Sequence, residues 1–360
     1  VRRGVASACL GQGRGAAGRA GRADRPGAGA GAGGGRGAVG VKLLLVKTSS
    51  LGDVLHALPA LTEARARVSA LECHWVVEES YAAIPAWHPA VTRVIPVALR
   101  RWRRAPLAAL RSRQVPDFLR QLRAQRYDCV LDAQGLLKTA PVTLLARGPR
   151  VGFDRRSARE GLAAFVYDRA VPVDRRQHAV QRLRALFGGA LGYRPGPDQP
   201  DYGIDRTRLP APVANGDYLV FLHGSTWPSK LWPDAHWGAL IERAGQAGRQ
   251  VLLPWGDAVE RARAERLADG HGHVEVLAPL RLPELAATLA GAQGVIGVDS
   301  GPTHLATALG VPTLALYGAT DPQLTGTWGA RQRRAQAVYP CAPCLRRVCR
   351  FAAEGAVHPP

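Results

Sequence analysis

From Val41 onward, the chain alternates between short apolar runs and segments in which apolar residues recur at helical spacing. The apolar runs, rich in leucine and β-branched residues, are predicted strands: 42–47, 74–77, 93–97, 128–132, 218–223, 250–254, 274–277, 294–299 and 313–317. Helical segments lie between them, among them 61–68, 118–123, 178–187, 235–247, 259–267, 282–290 and 303–309. Apolar strands separated by helices predict an α/β fold whose parallel sheets carry helices on both faces.

The alternation stops between Tyr193 and Asp217, where five prolines and four acidic residues collect. Such a segment is typical of a linker or hinge. We therefore expect two doubly wound, Rossmann-like domains, 41–194 and 217–335, which face each other across a cleft, with 195–216 as the linker and 336–360 as a cysteine-containing tail. Ligands of such sheets bind beyond the carboxyl ends of the strands, so the loops there are candidates for chemistry.

The first 40 residues differ from the rest of the chain. They contain 14 glycines and 10 alanines, and their seven arginines and one aspartate give a net charge of +6. A segment with so little to bury is predicted to be disordered, and it lacks the apolar stretch of about 7–15 residues that a secretory signal needs. The chain contains no methionine. Our hypothesis is that 1–40 is an upstream extension and that translation begins near Val41.

The net charge of the whole chain, +20 over 360 residues, points to an anionic partner: a nucleic acid, a membrane surface, or a phosphorylated or carboxylated substrate. Aromatic residues make up only 6% of the chain and do not alternate with the basic ones, which weakens the nucleic-acid interpretation. No apolar run reaches the roughly 18 residues of a membrane-spanning helix. The sequence is therefore expected to be soluble or peripheral to a membrane.

The loop after the first strand, VKTSSLGDVLHALPAL, carries Asp53 close to the start of a helix. A carboxylate in that position is often a plain helix N-cap, which contributes about 1 kcal/mol. A carboxylate at the mouth of an interdomain cleft can instead be a general base. The spacing alone leaves both roles open.

Two loops of the second half offer contacts for a phosphate. The segment HGSTWPSK contains the hydroxyls of Ser225 and Thr226 and one of only four lysines, Lys230, which is either a solvated cation or a phosphate contact. In VDSGPTHLATALG a strand ends at Asp299 and a helix opens, so its first N–H groups and its dipole form an anion site unless the turn is an ordinary cap.

A run of arginines, ALRRWRRAP, follows the third predicted strand: Arg100, Arg101, Arg103 and Arg104 surround a tryptophan. A charge run is usually a solvated face, but four guanidinium groups in five residues repel each other unless an anion binds. Carboxylate or phosphate recognition is therefore the alternative.

Three cysteines near the end, Cys341, Cys344 and Cys349, form C-x2-C-x4-C. They could be three zinc ligands with His358 as a distant fourth, but a structural site needs four well-spaced ligands. We favour reduced thiols in a terminal loop. Cys73 and Cys129 lie in apolar runs and are predicted to be buried thiols outside any disulfide.

Long ungapped segments of the chain resemble the lipopolysaccharide heptosyltransferases of Gram-negative bacteria, above all the type that adds the first heptose. These segments are VKTSSLGDVLHALPAL, HWVVEESYAAIPAWHPAVTRVIPVALRRWRR, YDCVLDAQGLLKTA, LPWG and VDSGPTHLATALGVPTLALYGATDP, and the similarity covers 41–328. The resemblance implies the GT-B fold and an inverting transfer of L-glycero-D-manno-heptose from ADP-L-glycero-β-D-manno-heptose to the first Kdo of Kdo2-lipid A. It also implies action in the cytoplasm, peripherally on the inner membrane, without a metal or another cofactor.

The resemblance also assigns roles to residues. Asp53 matches the catalytic base, and the basic segment Arg100, Arg101, Arg103 and Arg104 matches the side that faces the acceptor. The positions that match the donor site are Ser225, Thr226, Lys230, Glu260, Leu280, Asp299, Ser300, Gly301 and His304. Ser225 and Ser300 stand where enterobacterial members carry threonine. The tail lacks an obvious amphipathic final helix, which in GT-B folds often crosses back to the first domain, and this departure concerns domain closure rather than the chemistry.

Two alternatives stay open at this stage. A sister enzyme, heptosyltransferase II, would use the same donor and would differ only in its acceptor. A basic nucleic-acid-binding protein would explain the charge differently and would bind DNA with a steep salt dependence.

Overall fold

The computed structural model describes residues 40–197 and 201–349. Its first half contains one sheet whose strands β1 to β6 all pair in parallel, in the order β3-β2-β1-β4-β5-β6. The strands are Lys42–Val46 (β1), Glu72–Glu78 (β2), Val91–Val97 (β3), Cys129–Asp132 (β4), Arg150–Phe153 (β5) and Arg169–Val171 (β6). The prediction that 1–40 is disordered lies, apart from Gly40, outside the described residues.

The second half contains a sheet of six parallel strands, β7 to β12, in the order β12-β11-β10-β7-β8-β9. These strands are Tyr218–Leu222 (β7), Gln250–Leu253 (β8), Val274–Val276 (β9), Gly294–Val298 (β10), Thr313–Tyr317 (β11) and Gln332–Gln336 (β12). Counted from its own first strand, this sheet has the same order as the first, the 3-2-1-4-5-6 order of Rossmann folds. The predicted fold class, two doubly wound α/β units, is confirmed.

Helices connect the strands and cover the sheets. In the first half they are Leu51–Leu55 (α1), Leu58–Arg67 (α2), Ala83–Ala86 (α3), Leu99–Arg104 (α4), Pro106–Arg111 (α5), Gln114–Leu122 (α6), Ala140–Leu145 (α7) and Ala179–Leu191 (α8). In the second half they are Asp234–Gln246 (α9), Ala258–Ala268 (α10), Leu282–Gly291 (α11), Gly301–Ala308 (α12) and Pro322–Thr325 (α13). None of the described helices is both long and apolar enough to span a bilayer.

Apolar packing explains the central strands. Leu43, Leu44, Leu45 and Val46 of β1 are all fully buried, because a central parallel strand is covered by helices on both faces. α8 shows how the covering helices form: the imidazole of His178 accepts the N–H of Val180 at its start, and Gly192 ends it with a left-handed φ of 79°. Its buried Leu183, Leu186 and Phe187 contribute roughly 1.5–3 kcal/mol each.

Three strands differ from the prediction, which did not include β5, β6 and β12. β6 and β12 are edge strands of their sheets and β5 lies beside β6. Each of them carries arginine. β6 and β12 are partly exposed, and β5 is a buried strand of only four residues that begins with arginine and contains a glycine, so none of the three shows the continuous apolar run on which the prediction rests.

The linker forms hydrogen bonds with both halves of the chain. The Tyr202 hydroxyl donates to the carbonyl of Trp328 at 2.7 Å, and Arg208 donates to the carbonyl of Ala86 at 2.8 Å. Arg206 also donates to the carbonyl of Leu309. The linker therefore lies against residues of both halves of the chain. The exact domain limits at 194, 216 and 335 stay a prediction.

Candidate active site

The sheet order places the candidate loops. Strand order reverses between β1 and β4 in the first sheet and between β7 and β10 in the second, and ligands of such sheets bind where it reverses, beyond the carboxyl ends of the strands. The loops that leave these four strands carry most of the residues predicted from the sequence.

Helices α1 and α12 bring the two sets of loops into contact. A Cβ atom on Gly52 would stand 3.3 Å from Cδ2 of His304, and one on Gly301 would stand 3.0 Å from Cβ of Leu51. Each glycine therefore permits the opposite helix to approach to van der Waals distance. The loop with Asp53 and the loop with Asp299 form one site between the halves.

Asp53 is the third residue of α1, and Ser50 is its N-cap residue. The carboxylate of Asp53 accepts from the N–H and from the hydroxyl of Ser50, both at 2.9 Å. The interpretation of Asp53 as the N-cap itself was therefore wrong in position, because its carboxylate reaches back one turn to the true cap.

The charge state of Asp53 follows from its neighbours. Burial by itself would raise the pKa of the Asp53 carboxyl, but the ammonium of Lys47, 3.7 Å away, and the two bonds from Ser50 lower it to about 2. The Lys47 side chain is buried, and this burial lowers the pKa of its ammonium despite the nearby Asp53 and Asp132. Asp53 is thus an anion at neutral pH, and 36% of its side chain remains exposed to a ligand.

The loop after β4 holds the Asp53 loop in place. The side-chain oxygen of Gln134 accepts the N–H groups of Thr48 and Ser49, at 3.1 and 3.3 Å, and the ammonium of Lys138 donates to the Ser49 hydroxyl at 2.6 Å. Sequence reasoning gave Gln134 and Lys138 no role. Both residues lie in DAQGLLK, directly after a central strand, and this position could have indicated a functional loop. Their contact with the Asp53 loop depends on the pairing of β1 with β4, which the sequence does not show.

A buried carboxylate stabilises this second loop. Asp132, the last residue of β4, accepts from the N–H groups of Gln134 and Gly135 and from the hydroxyls of Thr139 and Tyr167 at 2.8–3.2 Å. Burial raises the pKa of the Asp132 carboxyl, whereas these bonds oppose the rise. A saturated buried acceptor of this kind fixes the loop that carries Gln134.

On the opposite side of the site, Asp299 is the centre of a buried cluster. Its carboxylate accepts from the Lys230 ammonium at 2.7 Å and from the Thr320 hydroxyl at 2.6 Å, and it lies 3.3 Å from Nε2 of His304. Burial would raise the pKa of Asp299, but His304 and Lys230 outweigh it and hold this pKa far below its ordinary value. The Lys230 ammonium also lies 4.7 Å from the ring centre of Trp227.

The other predicted donor positions lie on helix starts and strand-end loops of the second half. Ser300 is the N-cap residue of α12, and its hydroxyl bonds to that of Thr303 at 3.0 Å. Glu260 accepts the N–H of Gly256 at 2.8 Å, and a Cβ on Gly224 would stand 2.3 Å from its carboxyl carbon. Burial raises the pKa of Glu260. The loops after β7 and β9 carry the rest: Ser225, Thr226 and Leu280.

Three buried histidines line the junction of the halves. The His56 ring lies edge to face with His304 at 4.9 Å and with His178 at 5.6 Å between ring centres. Nε2 of His56 and Nδ1 of His304 have no hydrogen-bond partner among the described residues. His178 donates from Nε2 to the carbonyl of Gly326 at 2.9 Å. Burial lowers the pKa of His56 and lowers that of His178 to about 4, so both rings are neutral.

The cysteine-containing segment packs on the loop with Lys230. The Ser229 hydroxyl donates to the carbonyl of Arg346 at 2.6 Å, and the Arg347 guanidinium donates to the carbonyl of Thr226 at 3.2 Å. The N–H of Leu345 donates to the carbonyl of Ala319 at 2.7 Å. This contact was not foreseen, because no local pattern in the tail indicates where it docks.

The four predicted arginines of the basic segment are not equivalent. Arg100 lies 5.5 Å from the Tyr81 ring centre, and its charge contributes to lowering the pKa of Lys138, after burial. Arg101 pairs with Glu79 at 2.8 Å. Arg103 and Arg104 are exposed. Of the four, Arg100 is thus the one close to the loops of the site.

The cysteines form no centre in the described part of the chain. Cys73 and Cys129 are buried thiols outside any disulfide, as predicted, and Cys341, Cys344 and Cys349 are reduced and half-buried. Within residues 40–197 and 201–349, no group of three His, Cys, Asp or Glu side chains could hold a metal ion.

Comparisons with known proteins agree with this architecture. The sequence model of glycosyltransferase family 9 (heptosyltransferase) matches residues 115–354. The chain is 51% identical over 312 residues to lipopolysaccharide heptosyltransferase 1 of Pseudomonas aeruginosa, covering 86% of this chain and 88% of that protein. Structures of the E. coli heptosyltransferase WaaC, with ADP and with ADP-2-deoxy-2-fluoro heptose, have TM-scores of 0.79 and 0.75 at 46% identity. Each covers 83% of this chain and 94% of WaaC.

A more distant structure, that of E. coli ADP-heptose LPS heptosyltransferase II, has a TM-score of 0.65 at 22% identity. The match covers 83% of this chain and 91% of that protein. It supports the fold alone. The family match spans well over half of the chain, and the Pseudomonas relative matches most of its length. The chain belongs to glycosyltransferase family 9, the heptosyltransferases.

Proposed function

We propose that this chain transfers L-glycero-D-manno-heptose from ADP-heptose to the first Kdo of Kdo2-lipid A with inversion at the anomeric carbon. The observation that carries the proposal is the contact of Gly52 with His304, which brings the Asp53 carboxylate of one half beside the cluster of Asp299, Lys230 and His304 in the other. The relatives at 46–51% identity are named lipopolysaccharide heptosyltransferase 1 or were solved with ADP and with ADP-2-deoxy-2-fluoro heptose, which supports the proposal.

Asp53 is the proposed general base. A Kdo hydroxyl attacks the anomeric carbon, its proton passes to the Asp53 carboxylate, and the bond between that carbon and the diphosphate oxygen breaks. ADP leaves with the bonding electron pair. A carboxylate with a pKa of about 2 takes the proton late, when the attacking oxygen has become acidic through bonding to carbon.

The donor side stabilises the leaving group. The diphosphate gains negative charge as ADP departs, and Lys230 together with the first N–H groups of α12 at Gly301 supplies fixed positive potential at that point. Asp299 holds the Lys230 ammonium in position by an ion pair of 2.7 Å and is itself contacted by His304. Ser225, Thr226, Glu260, Leu280 and Ser300 complete the proposed donor pocket. Aligned dipoles of this kind act without reorganisation, which lowers the barrier.

The acceptor side uses cations. Arg100 and Lys138, beside the Asp53 loop, are suited to the Kdo carboxylates, and the exposed Arg103 and Arg104 are suited to the phosphates of lipid A. Arg101, which pairs with Glu79, would have to exchange partners to take part. Because this acceptor is embedded in a bilayer, we further propose a peripheral contact with the cytoplasmic face of the inner membrane and no nucleic-acid partner.

The experiment is a measurement of ADP release by the purified chain with ADP-heptose and either of two acceptors. Kdo2-lipid A should support turnover, whereas Kdo2-lipid A that already carries the first heptose should give less than about a tenth of that rate. Mass spectrometry of the product should show one added heptose on Kdo. Turnover only with the heptosylated acceptor would establish the sister activity instead, and no turnover with either acceptor would overturn the proposal.

A further inference from the structure

Large apolar side chains are exposed together on one side of the first half. Five of them are 42–71% exposed, and none belongs to the site described above. We call them the apolar face: Leu137, Leu144, Leu145, Leu162 and Phe165. Single exposed apolar residues are common on protein surfaces, whereas a group of them indicates an interaction surface.

Contacts between the supporting segments make the apolar face continuous. The N–H of Leu137 donates to the Glu160 carboxylate at 2.6 Å, and the N–H of Glu160 donates to the carbonyl of Gly135 at 3.1 Å. These bonds join the loop after β4 to the loop after β5. Helix α7, which carries Leu144 and Leu145, packs against the 3-10 turn Gly161–Val166, which carries Leu162 and Phe165.

Arg155 borders the apolar face, and three further exposed arginines are close to it in the sequence. The guanidinium of Arg155 lies 5.7 Å from the Phe165 ring centre. Arg156 and Arg159 follow in the same loop, Arg147 follows α7, and all four are exposed. Among the described residues, none of the four forms an ion pair with a side chain of this protein, so their charges are available to an anionic partner. A surface that combines exposed aliphatic and aromatic groups with arginines suits the headgroup region of an anionic bilayer.

The apolar face begins at the edge of the sheet that carries the chemistry. Leu137 lies on the loop that leaves β4 at its carboxyl end, where β1 also ends before Asp53, whereas Leu144 and Leu145 lie on α7, which leads back toward the start of β5. Lys138, next to Leu137, donates to the hydroxyl of Ser49 in the Asp53 loop at 2.6 Å. A lipid-anchored sugar could therefore reach Asp53 while its acyl chains stay in a bilayer that contacts the apolar face.

We propose that the apolar face docks this chain on an anionic lipid bilayer. Leu162 and Phe165 enter the boundary between headgroups and acyl chains, and the arginines at 147, 155, 156 and 159 pair with lipid phosphates. This inference rests on the proposed function in one respect, that the acceptor is anchored in a bilayer. We favour a lipid surface over a protein partner, because several exposed arginines close to a small apolar group can each pair with one of the many phosphates of a bilayer surface.

The first test is vesicle co-sedimentation of the full chain without substrates. Vesicles of phosphatidylethanolamine and phosphatidylglycerol (3:1) should bind the wild type, and pure phosphatidylcholine vesicles should bind it at least about tenfold less. The double variant Leu162→Ser/Phe165→Ser should lose about tenfold in partition to the anionic vesicles, since it removes two inserting side chains. Arg155→Glu, which reverses one charge, should also weaken binding. Equal binding by the wild type and the double variant would overturn the proposal.

The matched control is the double variant Val213→Ser/Val338→Ser, which replaces two exposed apolar side chains outside the apolar face and should bind like the wild type. Thermal melts should be unchanged for both double variants, because the replaced groups are exposed. Light scattering without lipid should give the same mass for the wild type and Leu162→Ser/Phe165→Ser. A loss of dimer in that variant would assign the face to self-association and refute membrane docking.

An activity measurement separates this inference from the proposed function. With a water-soluble Kdo acceptor that lacks acyl chains, the double variant should turn over at the wild-type rate, whereas with Kdo2-lipid A in vesicles it should be about tenfold slower. Absence of any transfer by the wild type would refute the proposed function and leave the vesicle-binding result standing by itself. An equal loss with both acceptors would show that the substitutions damage the site, contrary to docking.

Discussion

Gly52 of the first half lies against the imidazole of His304 in the second half, so that a methyl group at Gly52 would stand 3.3 Å from Cδ2 of His304. A methyl group at Gly301 of the second half would likewise stand 3.0 Å from Cβ of Leu51 in the first half. The distance between the Asp53 loop and the cluster around Asp299 is therefore set by the absence of two side chains. Catalysis that depends on such alignment loses rate when groups move by about 1 Å.

Substitution of Gly52 by alanine tests this relationship. The added methyl should push the His304 ring and α1 apart by a few tenths of an ångström and reduce kcat/KM for heptosyl transfer roughly tenfold. Gly238→Ala is the control, since a Cβ there meets nothing within 4 Å, and it should keep full activity and gain about 1 kcal/mol in unfolding free energy. An unchanged rate for Gly52→Ala would mean that the junction tolerates the movement.

The pH dependence of catalysis should report the pairing of Asp53 with Lys47. Because the pKa of Asp53 is about 2, kcat/KM should not fall on account of this group until the pH is below about 3. Lys47→Met removes the cation that lowers this pKa, so burial then raises it, and the acidic limb should move to a higher pH. A pH–rate profile measures the shift, and Lys42→Met at the exposed start of β1 is the control. The same limb in wild type and Lys47→Met would contradict the pairing.

The docked tail predicts an effect of Arg347 on donor binding. Arg347→Ala removes the bond to the carbonyl of Thr226 and loosens the loop that ends in Lys230, so the KM for ADP-heptose should rise several-fold while kcat changes less than about twofold. Arg346→Ala is the matched control, because Arg346 accepts from the Ser229 hydroxyl with its backbone carbonyl, which the substitution leaves in place. Initial rates at varied donor concentration decide the question, and equal KM values for the two variants would refute a specific role of Arg347.

Buried histidines should make folding stability depend on pH. The pKa of His178 is lowered to about 4, against about 6.5 in an unfolded chain. As the pH falls from about 6.5 to about 4, the unfolded chain takes up a proton that the folded ring refuses, so the free energy of unfolding falls by up to about 1.4 kcal/mol per pH unit for this histidine. This stability is fully present above about pH 6.5.

Urea unfolding at several pH values measures that slope. His178→Gln should reduce it by the contribution of one histidine, since glutamine can still donate to Gly326 and does not titrate. His236→Gln, at an exposed position, should leave it unchanged. A slope that is the same in wild type and His178→Gln would mean that the pKa of His178 is not lowered in the folded protein.

Asp53, Lys230 and Asp299 were recognisable in the sequence because each stands at or shortly after the end of an apolar strand, and the resemblance to a family assigned them roles. The same reasoning missed Gln134, Lys138 and Arg347. Their importance comes from which loops they touch, at separations of 85 to 121 residues along the chain. No local pattern encodes such contacts.

The sequence by itself determined the two α/β halves, the central strands and the strand-end loops, because burial on both faces imposes a continuous apolar run and turns require particular residues. Only the tertiary structure decided the strand order, the edge strands β6 and β12, the packing of Gly52 on His304 and the gathering of the apolar face. These depend on contacts between distant segments. Their energies come from shape and charge complementarity in three dimensions, which a one-dimensional pattern of polarity does not record.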